Sequence, residues 1–193
     1  ADEMAKHSDH FTYANLAIRG KTVKQVVEEQ VPVAIKYITG KDTLISFHAG
    51  ANDAIRPGYD AAATIARYQS AVRELAETGA SILLFTVLED TGNKGKGSKI
   101  WKERFNEFNK AIWEVGREVG ATISDANDLD FFKDNRFLAF DRLHLNEEGH
   151  WRVSQGVLEV LGYPYDSAWR TPLPPAKKLS LIHISEPTRL RRI

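Results

Sequence analysis

The sequence predicts an α/β fold: a three-layer, flavodoxin-like parallel sheet. Three observations carry this. Short apolar, β-branched runs alternate with longer runs whose apolar residues recur at helical spacing. The amphipathic run through Thr78 stops at a glycine, Gly79. Polar, glycine-bearing loops follow the short runs, at Gly20, at Gly50–Asp53 and at Asp90–Lys99. Strand–helix alternation of this kind gives βαβ units with right-handed crossovers. Ligands then bind at the carboxyl ends of the strands, so these loops should gather on one edge.

The elements follow in order. "FTYANLAI", Phe11 to Ile18, is β-branched and aromatic enough for a first strand, stopped by Gly20. "TVKQVVEEQVPVAIKYI" spaces Val23, Val26, Val27, Val31, Ile35 and Ile38 as a helix, which Pro32 should kink or restart. "TLISFHAG" is a second strand, suited to a sheet covered on both faces. "YDAAATIARYQSAVRELAETG" is an amphipathic helix and "ASILLFTVL" a third strand. "EDTGNKGKGSK" is a mobile loop. The next helix carries Trp101, Phe105, Phe108, Ile112, Trp113 and Val115 on one broad apolar face, with both tryptophans assigned to the core. "ATISDAND" is a fourth strand. The last helix starts after Asn146, a fitting N-cap, with Glu147 and Glu148 suiting the helix dipole.

Bulk properties narrow the function. The chain has 193 residues, enough for one domain with a hydrophobic core, and shows no internal repeat. Lys+Arg and Asp+Glu are 26 each, so there is no electrostatic footprint for nucleic acid or an anionic membrane. There is no cysteine, which excludes disulfides and thiolate chemistry. No apolar run is long enough to span a bilayer, and no signal peptide is visible, so a cytoplasmic protein is expected. The opening "ADEMAKHSDHF" reads like the end of a helix. Residues 1–178 form the expected domain. The stretch 179–193, "LSLIHISEPTRLRRI", has no period or cap and resembles a translated sequencing adapter, so it is set aside as non-native.

Three motifs bear on chemistry. "DRLHLNEEGH" places Asp141 three residues before His144. In a tight turn that spacing lets the carboxylate accept the imidazole Nδ1–H, leaving Nε2 as a general base. "SFHAGAND" puts Gly50, Asn52 and Asp53 after a strand, and "NLAIRG" ends the first strand on Gly20. Taken singly, each reads as a turn or a helix cap more readily than as a site. Other signals are weaker. "GNKGKGSK" lacks the Gly-Lys-Ser/Thr ending of a phosphate loop. His48, His144 and His150 lack metal-ligand spacing, so neither metal nor cofactor is expected.

Together, in this order, the motifs resemble those of the SGNH/GDSL hydrolase family, from about Tyr13 to Pro175. Gly20 matches the family's second block, Gly50, Asn52 and Asp53 its third, and Asp141 and His144 its fifth. The resemblance implies hydrolysis of a small ester through an acyl-serine, with Asp141 and His144 catalytic. It implies that the Gly20 backbone N–H and the Asn52 side-chain amide form the oxyanion hole. One departure is serious: the family's Gly-Asp-Ser block, after its first strand, has no counterpart here and would precede Ala1. With it would go the central strand of a sheet ordered 2-1-3-4-5, leaving a fragment without a nucleophile. The alternative reading is a non-catalytic flavodoxin-like module that binds a small ligand at the same edge. The oligomeric state is not legible.

Overall fold

The computed structural model describes residues 1–90, 97–125, 127, 129, 133–141 and 144–175. The stretch 179–193 and residues 91–96 of the glycine-rich loop lie outside them.

The sheet has three parallel strands in the order β1 (Leu44–Phe47), β2 (Ser81–Phe85), β3 (Thr122–Ser124). Leu44 pairs with Ser81 and Leu83 with Thr122, so all three chains run toward the same carboxyl edge. Helices α5 (Ala61–Glu77) and α6 (Ser98–Val119) cover one face; α1 to α4 are the short helices Asp2–Ala5, Val23–Gln25, Val31–Ile35 and Ala51–Ala54. The last helix, α7 (Glu147–Val160), lies against β3. This is the flavodoxin-like arrangement that the alternation of apolar runs predicts.

Local chemistry explains the element ends. Asp60 caps α5 by accepting the Ala63 N–H, and Asn146 caps α7 by accepting the Gly149 N–H. Gly120 ends α6 in the left-handed conformation, φ 70°. The predicted break at Pro32 appears as a π-helical turn over Val26–Gln30, in which the Val31 N–H reaches back to the Val26 carbonyl. Pro32 then sits in the first turn of α3.

The core lies between the sheet and α5–α6. Phe47, Tyr68, Phe108, Leu75, Leu84 and Ile112 are its buried centre, and the Tyr68 ring meets Phe108 edge-on with centroids 5.1 Å apart. Trp101 packs on this cluster as expected. Trp113 is only half-buried and stands at the rim, its indole N–H donating to Asp125 Oδ2 at 3.2 Å. A second set, Phe137, Leu138, Leu158 and Trp169, is buried around α7. There the buried Arg152 stacks on Phe137 and donates to the Trp169 and Thr171 carbonyls.

Two expectations need correction. Phe11 to Ile18 is not a strand: it carries no ladder, and Tyr13 and Ile18 are 68% and 57% exposed. A strand requires a neighbour to take its N–H and C=O groups, and none of the described residues offers one. Among the described residues β1 is an edge strand, as expected of a sheet that lacks its central strand. Its Ser46 faces solvent, so β1 is not covered on both faces.

Candidate active site

The carboxyl edge is assembled from both ends of the chain. On the β1 side, Gly50 precedes α4 at φ 109°, a conformation that favours glycine. A methyl group there would also lie 2.2 Å from the Phe108 ring, so the loop rests directly on the core. The tight turn presents Asn52 and Asp53 toward the segment carrying Gly20. Three hydrogen bonds join the two loops. Asn52 Nδ2 donates to the Lys21 carbonyl at 3.1 Å, the Val23 N–H donates to Asp53 Oδ2 at 2.9 Å, and Arg56 Nη2 donates to the Gly20 carbonyl at 2.9 Å.

Asp53 thereby satisfies an open N–H at the start of α2, where Thr22 and Gln25 form a capping box. Burial pushes the Asp53 carboxyl up, against the pull of that N–H and of Arg56. Its position is that of a structural clamp. Asn52 uses one amide hydrogen on the Lys21 carbonyl. Two uncharged donors, the Gly20 N–H and the other Asn52 amide hydrogen, thus have no partner among the described residues.

The dyad sits on a hairpin before α7. Leu138 and Leu145 bridge antiparallel, the Ala139 N–H donates to the His144 carbonyl at 2.7 Å, and the Asn146 N–H to the Phe137 carbonyl at 2.9 Å. Gly149 is needed beneath it, since a Cβ there would come within 2.6 Å of the Phe137 carbonyl oxygen. Within the hairpin the His144 backbone N–H donates to Asp141 Oδ1 at 3.0 Å. The ring Nδ1 lies 2.7 Å from Asp141 Oδ2. With Nδ1 donating, the carboxylate fixes tautomer and ring orientation, and Nε2 is left as a lone-pair acceptor. The side chain is 46% exposed, so Nε2 is accessible.

Arg19 joins the two halves. Its Nη2 stands 3.3 Å from Asp141 Oδ2 and 3.3 Å from His144 Nδ1. The residue next to Gly20 therefore touches the pair 122 positions later.

A buried polar clasp fixes the β2 and β3 ends. Asn109, 4% exposed, accepts the Val87 N–H and donates to the Val87 carbonyl, both at 2.8 Å. Asn127 accepts the Glu89 N–H at 2.9 Å and donates to the Val87 carbonyl at 3.1 Å. Burial pushes the Asp125 carboxyl up. Hydrogen bonds from the Asn127 N–H, Thr86, the Asn127 side chain and Trp113 outweigh that and hold it below its ordinary value.

The structure thus brings Asp141 and His144 together and gathers Gly20, Asn52 and Asp53 within one bonded network. Gly50 supports that network from beneath. His150 lies exposed on α7, and His48 is exposed at the end of β1, its ring 5.6 Å from Phe85. Among the described residues no group of three or more His, Asp or Glu is arranged to hold a metal ion, and no helix is long and apolar enough to cross a membrane. Sequence reasoning missed Arg19, Arg56, Asn109 and Gly149. Only Arg19, directly before a motif glycine, offered a local signal.

Solved structures share the fold. The acetylxylan esterase Axe2 from Geobacillus stearothermophilus superposes with a TM-score of 0.61 at 19% identity, over 77% of this chain and 71% of that one. The psychrotrophic esterase EstA from Pseudoalteromonas sp. gives 0.63 at 17% identity, over 83% of this chain and 81% of that one. No curated protein matches the chain in sequence. A family model does match, over residues 1–152, the span that holds Gly20, the Gly50–Asp53 turn and the Asp141–His144 hairpin. The chain therefore belongs to the GDSL-like lipase/acylhydrolase family.

Proposed function

We propose that residues 1–178 are the greater part of a serine ester hydrolase whose nucleophile block lies upstream of Ala1. In this reading an upstream serine attacks the ester carbonyl and passes its proton to His144 Nε2. The alkoxide of the tetrahedral intermediate receives the Gly20 N–H and the second Asn52 amide hydrogen. The intermediate collapses, His144 returns the proton to the leaving alcohol, and an acyl-serine remains. Water activated by the same imidazole then releases the acid. Asp141 holds the ring and stabilises the imidazolium at each stage. One preorganised oxyanion donor is worth roughly 2.7–4 kcal/mol of barrier.

The observation that supports this most is the convergence of three distant motifs. His144 Nδ1 lies 2.7 Å from Asp141, Arg19 beside Gly20 touches both, and Asn52 is bonded to Lys21. The chain has no Gly-Asp-Ser, and the outer edge of β1 has no partner among the described residues. Both fit a missing central strand and nucleophile. A small ester is the substrate class proposed, in keeping with the esterases that share the fold.

The test is to extend the chain with its own upstream coding sequence and assay a short p-nitrophenyl ester. Activity is expected in the extended chain, lost on His144→Ala, and absent from residues 1–193 alone. An extended, folded chain without activity, or one whose upstream strand carries no serine, favours the ligand-binding module instead.

A further inference from the structure

Gly20 raises a physical problem. It sits at φ 83°, and a Cβ built there would meet nothing within 4 Å. No side chain packs against its Cα, and glycine, lacking a Cβ, pays little for rotating the flanking peptides. Yet an N–H that stabilises a transition state must be aimed before the charge develops. The Lys21 N–H closes the turn on the Ile18 carbonyl at 3.5 Å, and Asn52 holds the Lys21 carbonyl. Two guanidinium groups add side-chain restraint on either side of Gly20. Arg56 Nη2 holds the Gly20 carbonyl at 2.9 Å, on the far side of the residue from its N–H. Arg19, whose own carbonyl belongs to the Gly20 N–H peptide, is anchored through Nη2 to Asp141 Oδ2 and lies equally close to His144 Nδ1.

Arg56 is itself braced. The Arg104 guanidinium, stacked on the Tyr59 ring at 5.2 Å, donates to the Arg56 carbonyl at 3.2 Å and the Ala54 carbonyl at 2.7 Å. That carries the restraint back to α6. The peptides on both sides of Gly20 are thus tied, one to the dyad and one to the core.

We propose that Arg19 and Arg56 are positioning residues, a two-guanidinium brace that fixes the Gly20 peptide relative to the His144–Asp141 dyad. Neither needs to touch substrate. Each acts by keeping one donor in register with one base. The proposal rests on the ester-hydrolase reading for its catalytic meaning, but its structural half is measurable without turnover.

The experiment has two arms. In the chain as it stands, ¹⁵N relaxation reads the Gly20 amide. The native order parameter is expected near the roughly 0.85 of rigid backbone, falling toward ~0.6 in Arg19→Ala and Arg56→Ala. Amides of β2 should not change. Arg56→Lys keeps the charge but loses the fork, and should also loosen Gly20. In the upstream-extended chain, each alanine variant should lose about tenfold in kcat with KM held within about twofold, as small misplacements do. Added guanidinium ion should restore part of that loss.

A Gly20 amide equally rigid in all variants, or kcat unchanged in active enzyme, overturns the brace. A loosened Gly20 in variants of an extended chain that never hydrolyses esters upholds the brace and refutes the hydrolase reading.

Discussion

β2 and the segment from Phe11 to Gly20 are held in opposite ways. β2 is paired on both edges and covered by helices, with Ile82, Leu83 and Leu84 5%, 2% and 0% exposed. Its carboxyl end passes into the Asn109 clasp. The N-terminal segment is largely exposed and has no ladder, and its far end is anchored by Arg19, Arg56 and Asn52. Burial fixes β2, whereas a few charged and amide hydrogen bonds fix Gly20. Those bonds are each worth only about 0.5–3 kcal/mol, against several for a core side chain. The candidate active-site edge thus joins a region of high local stability to one of low local stability.

The comparison is broken most severely from the β2 side. Phe108→Ala removes a ring that is 0% exposed, packed edge-on to Tyr68 and directly beneath Gly50. A loss of about 3–5 kcal/mol is expected in urea unfolding. A loss under 1 kcal/mol would show that the core does not support the loop.

Gly50→Ala strikes the junction of the two regions. It forces a Cβ to 2.2 Å from the Phe108 ring at φ 109°. About 2–3 kcal/mol of destabilisation is expected, with the Asn52 side-chain amide resonances displaced. Unchanged Asn52 resonances would separate the loop from the core.

Asp125 sharpens the contrast through pH. Its folded pKa lies below the ordinary 3.8, because four hydrogen bonds favour the carboxylate over the cost of burial. The unfolded chain takes up this proton first as pH falls. The carboxylate's contribution is therefore full above about 3.8 and is lost as pH drops through the lower folded value. Thermal melts between neutral pH and about pH 2 should fall less steeply for Asp125→Asn than for the native chain, on the scale set by linkage. Parallel slopes would mean that the clasp is not engaged in solution.

Tyr13→Ser should do least. The side chain is 68% exposed, and a change within about 0.5 kcal/mol is expected in the same unfolding assay. A larger loss would give this segment a packed role it does not show here.

How much of this the sequence discloses depends on where each determinant lies. α5 was legible because its amphipathic run stops at Gly79, α6 because its apolar residues recur on one broad face, and α7 because Asn146 caps it locally. The Asp141–His144 pair was legible because three residues suffice to form it. The first strand failed as an expectation because β propensity cannot supply a neighbour. Arg56 and Asn109 were missed because they are recognised only through partners 36 and 22 residues away. Arg19 lay in plain view beside Gly20, but its partner stands 122 residues on.

That separation has a consequence for the order in which the site comes into being. Joining Asp141 to His144, three positions apart, restricts very little chain, whereas joining Arg19 to Asp141 spans 122 residues. On loop-length scaling alone the second closure costs about 3 kcal/mol more chain entropy. The hairpin can therefore form within microseconds, ahead of the long-range docking. During refolding the imidazole is oriented early, on a chain that still lacks a site for it to serve. Arrival of the Gly20 segment is the late event, and a fluorescent label near Arg19 would time it.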